Sequence, residues 1–150
     1  MEAALDVVGI GNAIVDVLAS VEESFIAEHG LEKGRMTLID ADRADELYGW
    51  MSKGMEMSGG SAANTTVGVA ALGGRAGYIG KVANDDLGRV FRRDLLAGGV
   101  RFDVVDGLDL PTACCLIQVT PDAQRTMNTH LGISAYLSPD DVDTGLVASA

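Results

Sequence analysis

The sequence predicts an α/β protein with a mostly parallel sheet, flanking helices and a small antiparallel flap. Three observations carry that expectation. Apolar strand-length runs alternate with helical-period stretches in the order strand, helix, strand, helix, strand. Glycines stop the helices, at Gly30, Gly73-Gly74 and Gly98-Gly99. Two β-rich runs, 112–119 and 125–129, flank Pro121-Asp122-Ala123-Gln124, which suits a hairpin turn. No repeat and no linker-like segment interrupts the 150 residues, so one domain with a real core is expected.

The elements follow in chain order. Leu5 to Ile10 is nearly continuous in apolar residues, as a strand buried on both faces should be. Val15 to Ser20 continues as extended chain, and Glu22 to His29 reads as a short helix. Met36 to Ile39 is a short strand; Asp40 or Asp42 then caps a helix through about Met51, with Leu47 and Trp50 on one face. Ala62 to Leu72 is a helix of small residues, apolar on most sides, which predicts burial. Ala76 to Ile79 is a second core strand. Asn84 or Asp85 caps a third helix in which Leu87, Val90, Phe91 and Leu95 recur at helical spacing. Val100 to Val105 is a strand, and Ser138-Pro139-Asp140-Asp141 starts a last helix.

Composition narrows the function. A net charge of −11 argues against nucleic acid and anionic membrane surfaces as partners. Arg89, Arg92 and Arg93 have the spacing of a solvated helix face. Cys114 and Cys115 are adjacent, so on a strand they point to opposite faces and do not easily pair. Two buried thiols fit a reducing compartment. There is no metal-ligand spacing, no basic-apolar leader, and no apolar run near the ~18 residues of a membrane span. A cytoplasmic protein without a metal site of its own is the expectation.

Val7-Val8-Gly9-Ile10-Gly11-Asn12-Ala13-Ile14-Val15-Asp16 brings a strand into Gly-x-Gly, as a dinucleotide fingerprint would. The fingerprint's third glycine is replaced by Ile14, and no acidic residue ends a second strand at the required distance. The stretch instead presents Asn12 and Asp16, either to hydroxyl groups of a ligand or as a turn residue and a solvated carboxylate. Gly59-Gly60-Ser61-Ala62-Ala63-Asn64 lets backbone approach a ligand and opens a helix, but no Walker lysine follows. A polyol fits these donors and acceptors; an ordinary helix start fits them equally.

These two motifs and Gly80-Lys81-Val82-Ala83-Asn84-Asp85-Asp86-Leu87-Gly88, in this order, resemble the N-terminal half of ribokinase-like (PfkB) carbohydrate kinases, most of all the adenosine-kinase-like branch. Pro111-Thr112 and Arg125 to Gly132 are similar to lid strands of bacterial members. The resemblance covers essentially the whole chain. It implies a ribokinase-like Rossmann-type sandwich with a small β lid, lid segments near 14–39 and 105–131, and an ATP-binding half lying beyond residues 1–150. It implies γ-phosphate transfer from ATP, with Mg²⁺, to the primary hydroxyl of a nucleoside or sugar. On that resemblance Asp16 accepts the ribose 2′- and 3′-hydroxyls, and Asn12, Asn64, Gly59, Gly60 and Ser61 complete the sugar clamp. Ile14 and Leu38 pack on the base, Met127 and Thr129 face it from the lid, and Arg125 reaches the transferred phosphoryl group. Ala83 departs from the family's usual glycine. The family's Gly-Ala/Thr-Gly-Asp motif, which supplies the catalytic base, has no counterpart in this chain. The chain is therefore expected to be inactive alone, with a homodimer through lid strands as one further implication. The alternative is a non-catalytic sugar- or nucleoside-binding or assembly module.

Overall fold

The computed structural model describes residues 5–51, 54–103 and 109–150. The strands are β1 (Val7–Ile10), β2 (Ile14–Ser20), β3 (Met36–Leu38), β4 (Met55–Gly59), β5 (Ala76–Ile79), β6 (Val100–Phe102), β7 (Ala113–Val119) and β8 (Arg125–His130). The helices are α1 (Glu23–Glu28), α2 (Ala41–Trp50), α3 (Ser61–Ala71), α4 (Asp86–Ala97) and α5 (Thr144–Ala148), with 3-10 turns at Gly132–Tyr136 and Pro139–Asp141.

The strands form two sheets. β1-β5-β6 is parallel throughout. β3-β8-β7-β2-β4 is mixed: β2 with β7 and β3 with β8 are parallel, while β2 with β4 and β7 with β8 are antiparallel. The expected α/β architecture with mostly parallel pairing is present. The lid, foreseen as a small flap, is the wider sheet among the described residues. It includes β2, expected as extended chain within the segment near 14–39, and β4, which was not anticipated.

The core follows from burial. β5 is buried along its length because it lies between two strands with helices against it. Tyr78, Phe91 and Phe102 bring β5, α4 and β6 together, with ring centroids 5.4–5.8 Å apart. Asp85 caps α4 by accepting from the Gly88 N–H, and Asp40 caps α2 by accepting from the Arg43 N–H. On the lid, Val15, Val17, Leu116 and Gln118 share one buried face, covered by α2 and α4. The polar members of that face satisfy one another: Asn128 Nδ2 donates to Gln118 Oε1 at 3.0 Å, and Gln118 Nε2 donates to Met51 Sδ at 3.2 Å.

Several expectations are corrected. β1 is half-buried with Ile10 exposed, because among the described strands it is the edge of its sheet. α3 buries only Ala63 and Thr66, since it packs against described elements on one side; Leu72, just after it, is 91% exposed. Leu47 is buried but Trp50 is exposed and stacks on His29, centroids 4.2 Å apart. The segment at Ser138 makes a 3-10 turn closed by a Ser138–Asp141 capping box, and α5 begins later behind the Asp143 cap. β6 ends at Phe102; the expected continuation to Val104 and Val105, and the lid segment's start at 105–108, lie outside the described residues. The hairpin turn is as expected, with Ala123 taking φ 64° and Asp122 Oδ1 accepting from Thr120 Oγ1 and the Gln124 N–H.

Burial predicts a contrast between two leucines. Leu95→Ala empties a fully buried site and should cost about 2–5 kcal/mol, lowering the melting midpoint by roughly 2–4 °C for each. Leu72→Gln should stay within about 0.5 kcal/mol of the parent. Thermal melts by circular dichroism check both; equal losses would contradict this assignment of the core.

Candidate functional site

The site is built on the face of the lid sheet that no described helix covers. Strand register places Leu38, Thr129, Cys115, Asp16 and Met57 directly beside one another, one from each of five strands. Residues opposite one another in a ladder share a face. The next row on that face is Met36, Met127, Ile117, Leu18 and Met55. On the other side of the Asp16 row lie Gly59, Ile14 and Ala113. A single carboxylate therefore stands in a field that is apolar apart from Thr129 and the Cys115 thiol, which bond to each other. Leu38, Met36 and Met55 are 61%, 57% and 64% exposed, so the field is open at its margins.

Asp16 is held by shape. Its carboxyl leans over Gly59, where an added Cβ would lie 2.5 Å from the carboxyl carbon. Glycine at 59 is thus a condition for this rotamer. Gly60 has φ 92°, and a Cβ there would meet the Asn12 carbonyl at 2.7 Å. The first two sequence motifs touch through backbone, and the space between them excludes any larger residue. Tyr78 OH donates to the Gly11 carbonyl at 2.8 Å, pinning the loop that carries Asn12 to the core.

Among the described residues no hydrogen bond reaches the Asp16 carboxylate, and partial burial raises its pKa above the ordinary carboxylate value of 3.8. An acceptor that is desolvated yet unpaired is primed for donors from outside the chain. Burial also pushes up the pKa of the neighbouring Cys115 thiol, which accepts from Thr129 Oγ1 at 3.3 Å. Cys115 was read from sequence only as a buried thiol. Strand register shows that it adjoins Asp16 on the open face, a relation that needs β2 and β7 to be neighbours.

The expected site residues divide into groups. Ile14, Asp16, Gly59, Leu38, Met127 and Thr129 share the open face. Asn12 and Asn64 are exposed beside it, Asn64 in the first turn of α3 with its N–H donating to the Gly60 carbonyl. Gly60 and Ser61 form the start of that helix. Arg125 lies on the same face but in the row of Val119 and Ser20, two strand repeats from Thr129 and exposed. That is ~13 Å along the strand. A recess of about 270 Å³, lined in part by Leu38, Thr129, Leu131, Gly132 and Tyr136, opens at the β3–β8 end of the Asp16 row. A second cavity, of about 280 Å³, is lined by Asp45, Tyr48, Asp86, Cys114 and His130 and does not include Asp16.

No group of three or more His, Cys, Asp or Glu among the described residues could hold a metal ion. No described helix is long and apolar enough to cross a membrane.

The α/β fold, with its mostly parallel pairing, matches ribokinase-like adenosine and sugar kinase structures. The family model described as pfkB family carbohydrate kinase matches residues 36–150, and the chain belongs to that family. Adenosine kinase from Sinorhizobium meliloti superposes with a TM-score of 0.85 at 53% identity, over 97% of this chain and 45% of that one. A probable sugar kinase from Rhizobium etli gives 0.88 at 45% identity, over 99% of this chain and 45% of that one. Guanosine-inosine kinase of Escherichia coli is 27% identical over 152 positions, covering 96% of this chain and 35% of its own length. Aminoimidazole riboside kinase of Salmonella typhimurium is 37% identical over 92 residues, covering 59% and 28%. The chain spans about a third of these curated relatives and under half of the solved kinases.

Two substitutions test the site's construction. Gly59→Ala should displace the Asp16 carboxyl and, since a strand tolerates alanine, leave the melting midpoint within a few degrees; a crystal structure with Asp16 unmoved would contradict the packing argument. Asp16→Asn should stabilise the chain. A carboxylate whose folded pKa is raised loses stability as pH rises from about 3.8 through the folded value, because the unfolded state releases its proton first. The variant's advantage should therefore grow across that window and level off above the folded value. An advantage that shrinks with pH would contradict it.

Proposed function

We propose that this chain supplies the riboside-binding and lid half of an ATP-dependent kinase acting on the primary hydroxyl of a nucleoside, adenosine-like in class. The unpaired carboxylate of Asp16 inside an apolar field supports this reading more than any other observation. A pair of vicinal hydroxyls donates to one carboxylate, and each charge-assisted bond contributes about 1.5–3 kcal/mol. Leu38, Met127 and Ile14 offer apolar contact to a planar base, with the recess beside Thr129 taking its edge. A free sugar has no group that would use those surfaces. Asn12 and Asn64 add neutral polar contacts from the rim.

This half binds and orients. It presents the acceptor hydroxyl at a fixed place, and positioning is a large share of phosphoryl-transfer catalysis. Enzymes of this family use ATP and Mg²⁺ in general, and no Gly-x-Gly-Asp base motif occurs in these 150 residues. The chain alone is therefore inactive in this reading. It works in the cytoplasm, and Arg125 reaches the phosphoryl group only if the hairpin moves. The exposed Met36, Leu38 and Met55 also make the lid face the surface through which two copies associate.

Isothermal titration of the folded chain with adenosine, ribose and NAD tests the binding claim. Adenosine should bind, ribose more weakly, and NAD not at all. Asp16→Asn should weaken adenosine binding by about 10–100-fold. Equal affinity for adenosine in parent and variant would sink the role given to Asp16. A coupled ADP-release assay showing turnover by the parent would refute inactivity, and a stable, soluble chain that binds without turnover in any partner's presence would favour the non-catalytic module.

A further inference from the structure

Side chains of the third sequence motif, residues 80–88, hold the segment that leads into β7 and the segment that follows β8. The entering segment is held at Thr112, one residue before β7. Asp85 Oδ1 accepts from Thr112 Oγ1 at 2.6 Å and from the Gly88 N–H at 2.8 Å, while Asp85 Oδ2 accepts from the Thr112 N–H at 2.9 Å. Thr112 Oγ1 accepts in turn from the Ala83 N–H at 2.9 Å. Burial raises the Asp85 pKa, but these hydrogen bonds outweigh it and the net shift is downward. Gly88 leaves no room for error, since a Cβ there would collide with the Ala83 carbonyl.

The segment that follows β8 is held by Lys81. Its Nζ pairs with Asp141 Oδ2 at 2.8 Å and donates to the Tyr136 carbonyl at 3.4 Å. The side chains of Lys81 and Asp141 are only 8% and 11% exposed. Asp141 Oδ2 also accepts from the Ser138 N–H and hydroxyl. The two crossing segments are tied to each other, with the Ile133 N–H donating to the Pro111 carbonyl at 2.8 Å. Gly80 abuts the Gly11 carbonyl, so the same segment backs the loop before Asn12.

We propose that residues 80–88 are the mount of the lid, with Lys81 and Asp85 as positioning residues that fix the lid sheet against the core sheet. The consequence for binding rests on the riboside reading above. A ligand held by Asp16 on the lid and by Asn12 and Asn64 at the core's edge needs both sheets in register, and small misplacements are costly. A buried ion pair is weak evidence of stability for its own sake, which leaves fixing one arrangement as its use here. Ala83 in place of the family's glycine does not disturb the mount: it does not share the positive φ seen at Ala123, and its N–H is used.

The test compares three variants of the full chain by amide hydrogen exchange and adenosine titration. Thr112→Val removes the hydroxyl at constant shape, Thr112→Ser keeps it, and Lys81→Met with Asp141→Asn removes the ion pair without leaving a lone charge. Thr112→Val and the double variant should raise exchange in β7 and β8 by about tenfold while β5 stays as in the parent, and should weaken adenosine binding by about tenfold. Thr112→Ser should stay within about twofold of the parent on both. Unchanged lid exchange, or exchange rising equally in lid and β5, overturns the proposal. If Thr112→Val does not fold, the double variant decides on the same criteria. If the parent binds no adenosine, the riboside reading fails, and the exchange pattern still decides whether the mount exists.

Discussion

The contact between the Asp16 carboxyl and the bare backbone of Gly59 is the constraint on which the site depends. An added Cβ at 59 would lie 2.5–2.6 Å from all three carboxyl atoms. Because β2 and β4 are antiparallel and Gly59 opposes Ile14, the carboxyl leans along the sheet toward the start of α3. It is thereby drawn out of water without being given a partner. Its raised pKa is the electrostatic record of that placement. A protein gains no stability from such an arrangement, so its use must lie in what it binds.

Everything around that contact serves to hold two sheets at one angle. The chain crosses between them at residues 11–13 and 59–60, and again on either side of the β7–β8 hairpin. Tyr78 holds the first crossing through the Gly11 carbonyl, Gly60 packs against Asn12, and Asp85 and Lys81 hold the last two. The parallel sheet is thus the rigid body, and the lid is the piece mounted on it. The residues proposed to bind the riboside sit on the mounted piece and at the joint, where closure around a ligand can change their spacing.

Much of this was legible in the sequence. The helix starts near residues 40–42 and 84–85, the hairpin at Pro121-Asp122 and the strand at Ala76 carry strong local signals; the structure chooses Asp40 and Asp85 as the caps. The motif containing Asp16 and the Gly-Gly pair are joined in one sugar clamp by the family resemblance alone, and the structure brings them into contact through backbone. What was not legible is pairing. β4 reads Met-Glu-Met-Ser-Gly, with little β propensity, and becomes a strand because β2 offers an edge. Cys115 and the row through Asp16 depend on β2 lying beside β7, although 99 residues separate Ile14 from its partner Ala113 and no local pattern encodes the pairing. α3 misled for a related reason: its composition reports what it can bury, and only the neighbours present decide what it does bury.

The most direct measurement of the central claim is the pKa of the Asp16 carboxyl, followed by carbon-13 NMR with and without adenosine. In the free chain it should titrate above 3.8, because the carboxylate is desolvated and unpaired. With adenosine bound it should fall, because hydroxyl donors stabilise the charged form. A free-chain value at or below 3.8, or a raised value unmoved by saturating adenosine, would contradict the account.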